Sequence, residues 1–293
     1  MNPFVFLLIL SFTVPSALGA QSRGTGGGTQ DLGTGVSGAL SQMDDAFSQI
    51  DDDISSQDAY FLGRAVAANI LTRYRLYTEK PALTEYLNQI CAAITINSPA
   101  PDIYGGYHVR ILNSPDMNAF ATTGGHIFIC RGLLEALTTE DALAAVLAHE
   151  IAHIQLNHSV SLINHMRLTR DLSNVADKAA GIAAREASLS ERKMFFDNAV
   201  REMVTTLVVS GYTREQEFEA DSYALTLLAL AGYSPVSLTE VLTLLQRAGG
   251  TGGYNGTHPS PDLRINNVRR ELLRYQGQDT RSFRASRFAP PFR

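Results

Sequence analysis

The chain has 293 residues, of which 45% are hydrophobic and 18% are charged, and its formal net charge at pH 7 is -5. A chain of this length forms one large domain or two small ones, and its near-average composition excludes wholesale disorder. The acidic balance gives no sign of a nucleic-acid partner, and we expect none.

The N-terminal residues are typical of an exported protein. Residues 4–14 are almost wholly apolar, and residues 17–19 provide the small side chains of a signal peptidase site. We expect a signal peptide over residues 1–20; a membrane anchor is the alternative, but the apolar run is shorter than the roughly 20 residues that cross a bilayer. Because the first cysteine is Cys91, no thiol lies near the leader to accept a lipid. We therefore expect a soluble exported protein that is not a lipoprotein.

Two cysteines, Cys91 and Cys130, are present in the whole sequence. In an oxidising compartment they would form a disulfide, whereas in the cytosol they would remain two buried thiols. The sequence leaves both alternatives open.

Composition divides the rest of the chain into segments. Residues 21–42 are rich in Gly, Ser and Thr, which predicts a flexible linker. A folded domain is expected over residues 43–276, followed by a disordered basic tail over residues 277–293. From Met43 to Ile96 the apolar residues recur three and four apart, which predicts two or three amphipathic helices.

A small β region follows these helices. Three short apolar runs at residues 107–112, 119–121 and 125–130 are separated by turn-forming residues, which predicts a three-stranded sheet. After it the helical pattern returns, and the predicted helical stretches are 139–158, a part of 160–210, 213–231, 236–248 and 261–275. The predicted fold class is α+β, mostly α.

The run from His149 to His153 reads H-E-I-A-H and matches the zinc-binding pattern H-E-x-x-H. On a helix the two histidines lie one turn apart on one face, so both imidazoles reach a single Zn²⁺. Glu150 lies beside them and is placed to accept a proton from a water molecule. A capping box of Thr138 and Asp141 is expected to start this helix. The alternative is a structural histidine pair whose ring N–H groups donate hydrogen bonds to neighbouring carbonyls.

A catalytic zinc ion needs a third protein ligand. Residues from Thr213 to Ala231 predict a helix that starts with a capping box of Thr213 and Gln216. On this helix Glu217 and Asp221 lie four residues apart on one face, so one carboxylate would bind zinc while the other orients a ligand histidine. A solvated acidic first turn is the alternative.

Together the two motifs resemble the HtpX-like zinc metallopeptidases, the family that also contains the CAAX prenyl protease. The resemblance extends over roughly residues 55–275 and is carried by five segments in the family's order, namely residues 118–129, 149–153, 217–221, 232–235 and 257–259. It implies a zincin-like metallopeptidase domain in which His149, His153 and Glu217 bind one zinc ion. In the same arrangement Glu150 is the catalytic base and Asp221 supports a ligand.

The resemblance also implies a function. HtpX and the prenyl protease span the membrane, whereas this chain lacks their transmembrane helices and is more similar to soluble periplasmic members such as BepA, without their TPR array. We therefore expect a periplasmic zinc metalloendopeptidase that hydrolyses misfolded or unassembled envelope proteins, with peripheral contact to the outer membrane or its assembly machinery. The alternative is a zinc-stabilised chaperone or assembly factor with little proteolysis.

Two further sites are expected near the metal. His258 lies in a loop that the family likeness places there, where it would stabilise the transition state or occupy the open zinc position in a latent form; a plain loop histidine is the alternative. The segment Asn118, Ala119 and Phe120 would form an edge strand that pairs with an extended peptide, or else an ordinary core strand.

The remaining histidines lack ligand spacing. His158 is nine positions from His149, roughly 180° around a continuous helix, so we expect it to face away from the metal. Glu215 and Glu219 are likewise expected to point elsewhere. We interpret the other histidines as surface or structural residues, namely His108, His126 and His165.

Overall fold

The computed structural model describes residues 55–161, 189–248, 258, 261–275 and 281–285. The predicted signal peptide and linker lie outside these residues, as does His165. Within the tail that was expected to be disordered, Arg281–Ala285 form a short helix. This segment is held because Arg284 bonds to Asp141.

Helices make up most of the described part of the chain, and a small sheet completes it, which confirms the predicted fold class. Among the described residues no helix combines the length and apolar character needed to cross a membrane. The helices are α1 (Ser56–Arg73), α2 (Pro81–Thr95), α3 (Arg131–Ala136), α4 (Glu140–Gln155), α5 (Leu189–Thr205), α6 (Arg214–Leu230), α7 (Val236–Arg247), α8 (Pro261–Glu271) and α9 (Arg281–Ala285). A π-helical turn, Thr206–Ser210, extends α5, and a 3₁₀ turn, Leu272–Tyr275, extends α8.

The sheet has three strands, each within one residue of its predicted bounds. They are β1 (His108–Leu112), β2 (Ala119–Thr122) and β3 (His126–Cys130), in the spatial order β1-β3-β2. The central strand β3 pairs in parallel with β1 and antiparallel with β2. The strand β2 is therefore an edge strand of this sheet.

Helix α4 is the buried centre of the molecule. All of its residues are buried, because it packs against α2, α6, α7 and β2. A helix that is covered on every side has an apolar sequence all round, as residues 142–148 show. Any polar side chain on such a helix needs an internal partner.

Helix α1 packs closely on the turn that joins β2 to β3. A Cβ atom added at Gly63 would lie 1.6 Å from the carbonyl oxygen of Thr123. Backbone therefore meets backbone at this point, and no larger residue fits without movement.

Both cysteines are free thiols in the structure, and both are buried. Burial raises the pKa of Cys91 to about 12 and, together with the nearby Asp116, that of Cys130 to about 12. The two thiols are therefore protonated and unreactive at neutral pH.

Candidate metal centre

Helix α4 holds the two histidines of the H-E-x-x-H motif side by side. The Nε2 atoms of His149 and His153 are 3.1 Å apart, and both side chains are buried. The helix starts at Thr139, whose side chain accepts the N–H of Ala142, so the predicted capping box at Thr138 is wrong by one residue. The expected helical spacing places both imidazoles on one face.

Helix α6 brings Glu217 to the same point. Its predicted capping box is present, with both bonds formed between Thr213 and Gln216. Glu217 Oε1 lies 3.5 Å from His153 Nε2, and Oε2 lies 3.6 Å from His149 Nε2. The structure thus brings together the three residues that were expected to bind the metal.

His258 is the fourth member of this group. One donor atom from each of His149, His153, Glu217 and His258 lies within 4.8 Å of the others. His258 Nδ1 is 2.8 Å from Glu217 Oε1, and its Nε2 is 3.4 Å from the carbonyl oxygen of Ala119. Burial would lower the pKa of His258, but the charge of Glu217 outweighs it and raises that pKa.

Asp221 supports His149, and a residue that the sequence analysis did not identify holds Asp221. Asp221 Oδ1 lies 3.2 Å from His149 Nδ1. Arg264, on α8, donates from Nε to Asp221 Oδ2 at 2.8 Å and from Nη2 to Oδ1 at 2.6 Å. Its Nη1 lies 2.7 Å from Glu217 Oε2, so one guanidinium pairs with both carboxylates.

The spacing of apolar residues in α8 indicates that Arg264 is buried. Pro261, Ile265 and Val268 mark the buried face of α8, and Arg264 lies on that face at helical spacing. A cation in this position needs a buried acidic partner, since an unpaired buried charge is very costly.

The protonation states of this group suit metal binding. Burial lowers the pKa of His149 and His153, so both rings are neutral at pH 7. Burial would raise the pKa of Glu217, but the neighbouring His258 and Arg264 outweigh it and hold that pKa well below its usual value. Neutral imidazoles and an ionised carboxylate are the forms that bind a metal.

Glu150 projects into the same space from α4. Burial raises the pKa of its carboxyl to about 7, although the N–H of Ala121 donates to it. Its Oε2 atom is buried and accepts no hydrogen bond from the part of the chain that the structure describes. Two imidazole nitrogens, a carboxylate and an adjacent free acceptor fit a zinc ion and a water molecule.

His158 does not lie on the opposite side of α4 from the centre, so that prediction is wrong; it lies directly behind His153. Its Nδ1 lies 2.9 Å from His153 Nδ1, and its Nε2 lies 3.2 Å from Glu219 Oε2, another residue that was expected to point elsewhere. The cause is the end of α4 at Gln155. Asn157 then adopts a left-handed conformation with φ 52°, which turns the chain back toward the helix.

The ring of His153 is also held by an aromatic side chain. Tyr212 stacks on it, with ring centroids 4.1 Å apart and an angle of 16° between the planes. The Tyr212 hydroxyl bonds to Ser159 at 2.6 Å. The stacked ring of Tyr212 thus fixes the plane of the His153 imidazole. Both residues are buried, so solvent does not compete for this contact.

The predicted edge segment lies along the centre. The side chains of Asn118, Ala119 and Phe120 are buried. Because Asn118 and Phe120 pair with β3, the polar backbone groups of Ala119 and Ala121 point from the other edge of β2. Those groups contact His258 and Glu150, so the edge of β2 that does not pair with β3 faces the candidate metal centre.

Comparison with known proteins agrees with this geometry. Residues 81–272 match the model of Peptidase family M48. The mitochondrial metalloendopeptidase OMA1 of Schizosaccharomyces pombe is 29% identical over 219 residues, which cover 73% of this chain and 58% of that protein.

Two bacterial relatives come from Escherichia coli strain K12. The beta-barrel assembly-enhancing protease is 25% identical over 206 residues, covering 64% of this chain and 39% of that protein. The metalloprotease LoiP is 28% identical over 197 residues, covering 66% of this chain and 73% of LoiP. The matched part thus spans between about two fifths and three quarters of these relatives.

Proposed function

The chain belongs to peptidase family M48, and from this premise we propose that it is a metalloprotease, namely a periplasmic zinc endopeptidase for misfolded or unassembled envelope proteins. The name of the beta-barrel assembly-enhancing protease supports the proposed substrates and a peripheral contact with the outer membrane or its assembly machinery. The observation that carries the chemistry is the meeting of His149, His153 and Glu217 beside the free carboxylate oxygen of Glu150.

In this proposal His149, His153 and Glu217 would hold the zinc ion, and Asp221 would orient His149 from behind. When bound, the ion would supply Lewis acidity to a water molecule and to the scissile carbonyl. The protein supplies neutral imidazoles on one rigid helix and a carboxylate on another, so the ligands need little rearrangement.

Glu150 is the proposed general base. Its Oε2 accepts the proton of the attacking water, and the same carboxyl then donates it to the leaving amine. Burial raises the pKa of Glu150 to about 7 in the metal-free chain, so both the ionised and the protonated carboxyl are accessible near neutral pH.

The edge of β2 that does not pair with β3 is the proposed substrate-binding edge. To pair with it, an extended peptide would replace His258 at the carbonyl of Ala119, and its scissile bond would then pass Glu150. Such pairing recognises the peptide backbone more than its side chains. It therefore suits a protease whose substrates are unfolded chains.

Glu150→Gln tests the proposed reaction. We expect this variant to keep zinc, measured by metal content, and to cleave unfolded casein at least about 10²-fold more slowly, since it lacks the general base. Glu135→Gln is the matched control, because Glu135 lies at the surface and should cleave like the wild type. Cleavage at the wild-type rate by Glu150→Gln would refute the mechanism. A denatured porin cleaved faster than the folded porin would support the proposed substrate class.

His258→Ala separates the two roles proposed for His258. If His258 occupies the open metal position in a latent form, its removal should raise the rate of casein cleavage several-fold. If it stabilises the transition state, kcat should fall by about 10²-fold while KM changes little. An unchanged rate and unchanged zinc binding would exclude both roles.

A further inference from the structure

His153 has an unusual support on the side away from the metal centre. Its Nε2 faces His149 and Glu217, while its Nδ1 lies 2.9 Å from Nδ1 of His158. Metal-binding histidines almost always donate their second ring N–H to a carboxylate, a carbonyl or water. Here the partner is another imidazole, which offers either a donor or an acceptor at that atom.

Glu219 decides which of these two forms His158 takes. Its Oε2 lies 3.2 Å from His158 Nε2, and an ionised carboxylate only accepts hydrogen bonds. His158 Nε2 must therefore carry the proton. In the neutral ring this leaves Nδ1 of His158 as an acceptor.

The tautomer of His158 determines the tautomer of His153. Because Nδ1 of His158 accepts, Nδ1 of His153 must donate and carries the ring proton. The Nε2 atom of His153, which points at the centre, then has its lone pair free. The opposite arrangement would place an N–H at Nε2 of His153 and block a metal there.

We propose that His158 and Glu219 are positioning residues that fix the metal-binding tautomer and the orientation of His153. They do for His153 what Arg264 and Asp221 do for His149, where Arg264 holds Asp221 and Asp221 faces His149 Nδ1. This inference rests on the proposed zinc ligation by His153. His158 is buried, whereas the Glu219 side chain is 65% exposed, so the carboxylate connects a buried ligand to the surface.

The test is the zinc dissociation constant, measured by chelator competition on the full chain. His158→Phe keeps a ring but removes the acceptor, and we expect about 10- to 100-fold weaker zinc binding. His158→Asn places an oxygen near the position of Nδ1, so its affinity should stay within about threefold of the wild type. A role in packing alone would not allow this rescue.

Glu219 provides a second test that does not disturb the core. Glu219→Leu should weaken zinc binding by about three- to tenfold, and Glu219→Gln should restore it, since the amide oxygen still accepts from His158. Glu215→Leu is the matched control, because Glu215 is an exposed acid one turn earlier in α6 and should leave zinc binding unchanged. The absorption bands of the cobalt-substituted protein should shift in His158→Phe and remain in His158→Asn.

The outcomes separate this inference from the proposed function. If the wild type binds no zinc, the proposed metal site fails first. If the wild type binds zinc and His158→Phe and Glu219→Leu bind it equally well, the positioning role is refuted. Equal losses in His158→Phe and His158→Asn also refute it, because they would indicate packing alone.

Discussion

At the scale of single residues, the buried positive charge of Arg264 offsets the buried negative charges of the candidate metal centre. Its guanidinium contacts Glu217 and Asp221, and all three side chains are almost fully buried. Burial would raise the pKa of Asp221, but the charge and hydrogen bonds of Arg264 outweigh it and lower that pKa. The guanidinium thus helps to keep both carboxylates ionised, together with His258 at Glu217 and His149 at Asp221.

Arg264→Met should destabilise the protein strongly, because it leaves two buried carboxylates without their counter-charge. In EDTA we expect the free energy of unfolding to fall by about 3–5 kcal/mol, measured by urea denaturation. The loss should be smaller with zinc, since a bound cation replaces part of the missing charge. Arg269→Met, at an exposed position of α8, should stay within about 0.5 kcal/mol of the wild type.

Local patterns reveal some of these residues and not others. His149, Glu150 and His153 follow from a helical spacing that is complete within five positions. Arg264 and the pairing of His158 with His153 depend on contacts between distant or redirected segments. A spacing rule cannot supply these contacts, because they form only when the helices pack.

At the scale of elements, a helix bound was predicted well where its signal is local and was missed where it depends on one unusual backbone conformation. The T-x-x-Q pattern located the start of α6, since both capping bonds lie within four residues. The end of α4 was missed because Asn157 adopts a left-handed conformation that few residue types favour. Because of that single turn, His158 lies behind His153 and not on the far side of α4.

A histidine of the sheet, His126, should make the stability of the protein depend on pH. His126 on β3 pairs in register with His108 on β1, and burial, with smaller contributions from His108 and Arg64, lowers its pKa to about 4. Between that value and the unfolded pKa of about 6.5, the unfolded chain binds more protons than the folded one. The free energy of unfolding should therefore fall as the pH falls from about 6.5 to about 4.

His126→Gln removes this titration. The urea midpoint of the variant should depend less on pH across the same window than that of the wild type. Identical slopes in the two proteins would show that His126 does not couple protonation to folding.

At the scale of the whole molecule, α9, the last of the described helices, is bonded to the start of α4. Arg284 bonds to Asp141 Oδ2 at 2.9 Å and to the carbonyl of Gly232 at 2.9 Å, and it lies over the ring of Tyr233. Asp141 also accepts the N–H of Ser234 at 2.9 Å. These bonds join three parts of the chain, namely α4, the turn that precedes α7, and α9. No local sequence pattern predicted this connection.

Arg284→Ala should loosen this connection. Asp141 is buried, so loss of its cation should lower the free energy of unfolding by about 3 kcal/mol, as measured by urea denaturation. Arg281→Ala is the control on the same helix, because its pair with Glu240 is exposed and should contribute less than about 1 kcal/mol. Equal effects of the two substitutions would contradict the role assigned to Arg284.

The close packing of α1 on the sheet limits how this sequence can vary. Alanine is normally the best residue inside a helix, yet at Gly63 its methyl group would collide with the carbonyl of Thr123. Thr122 is the last residue of β2, whose other edge faces Glu150, and Thr123 comes directly after it, so the helix would push on the wall of the proposed active site. In a library of random variants, position 63 should retain glycine as strictly as the metal-binding positions do, although it takes no part in the chemistry.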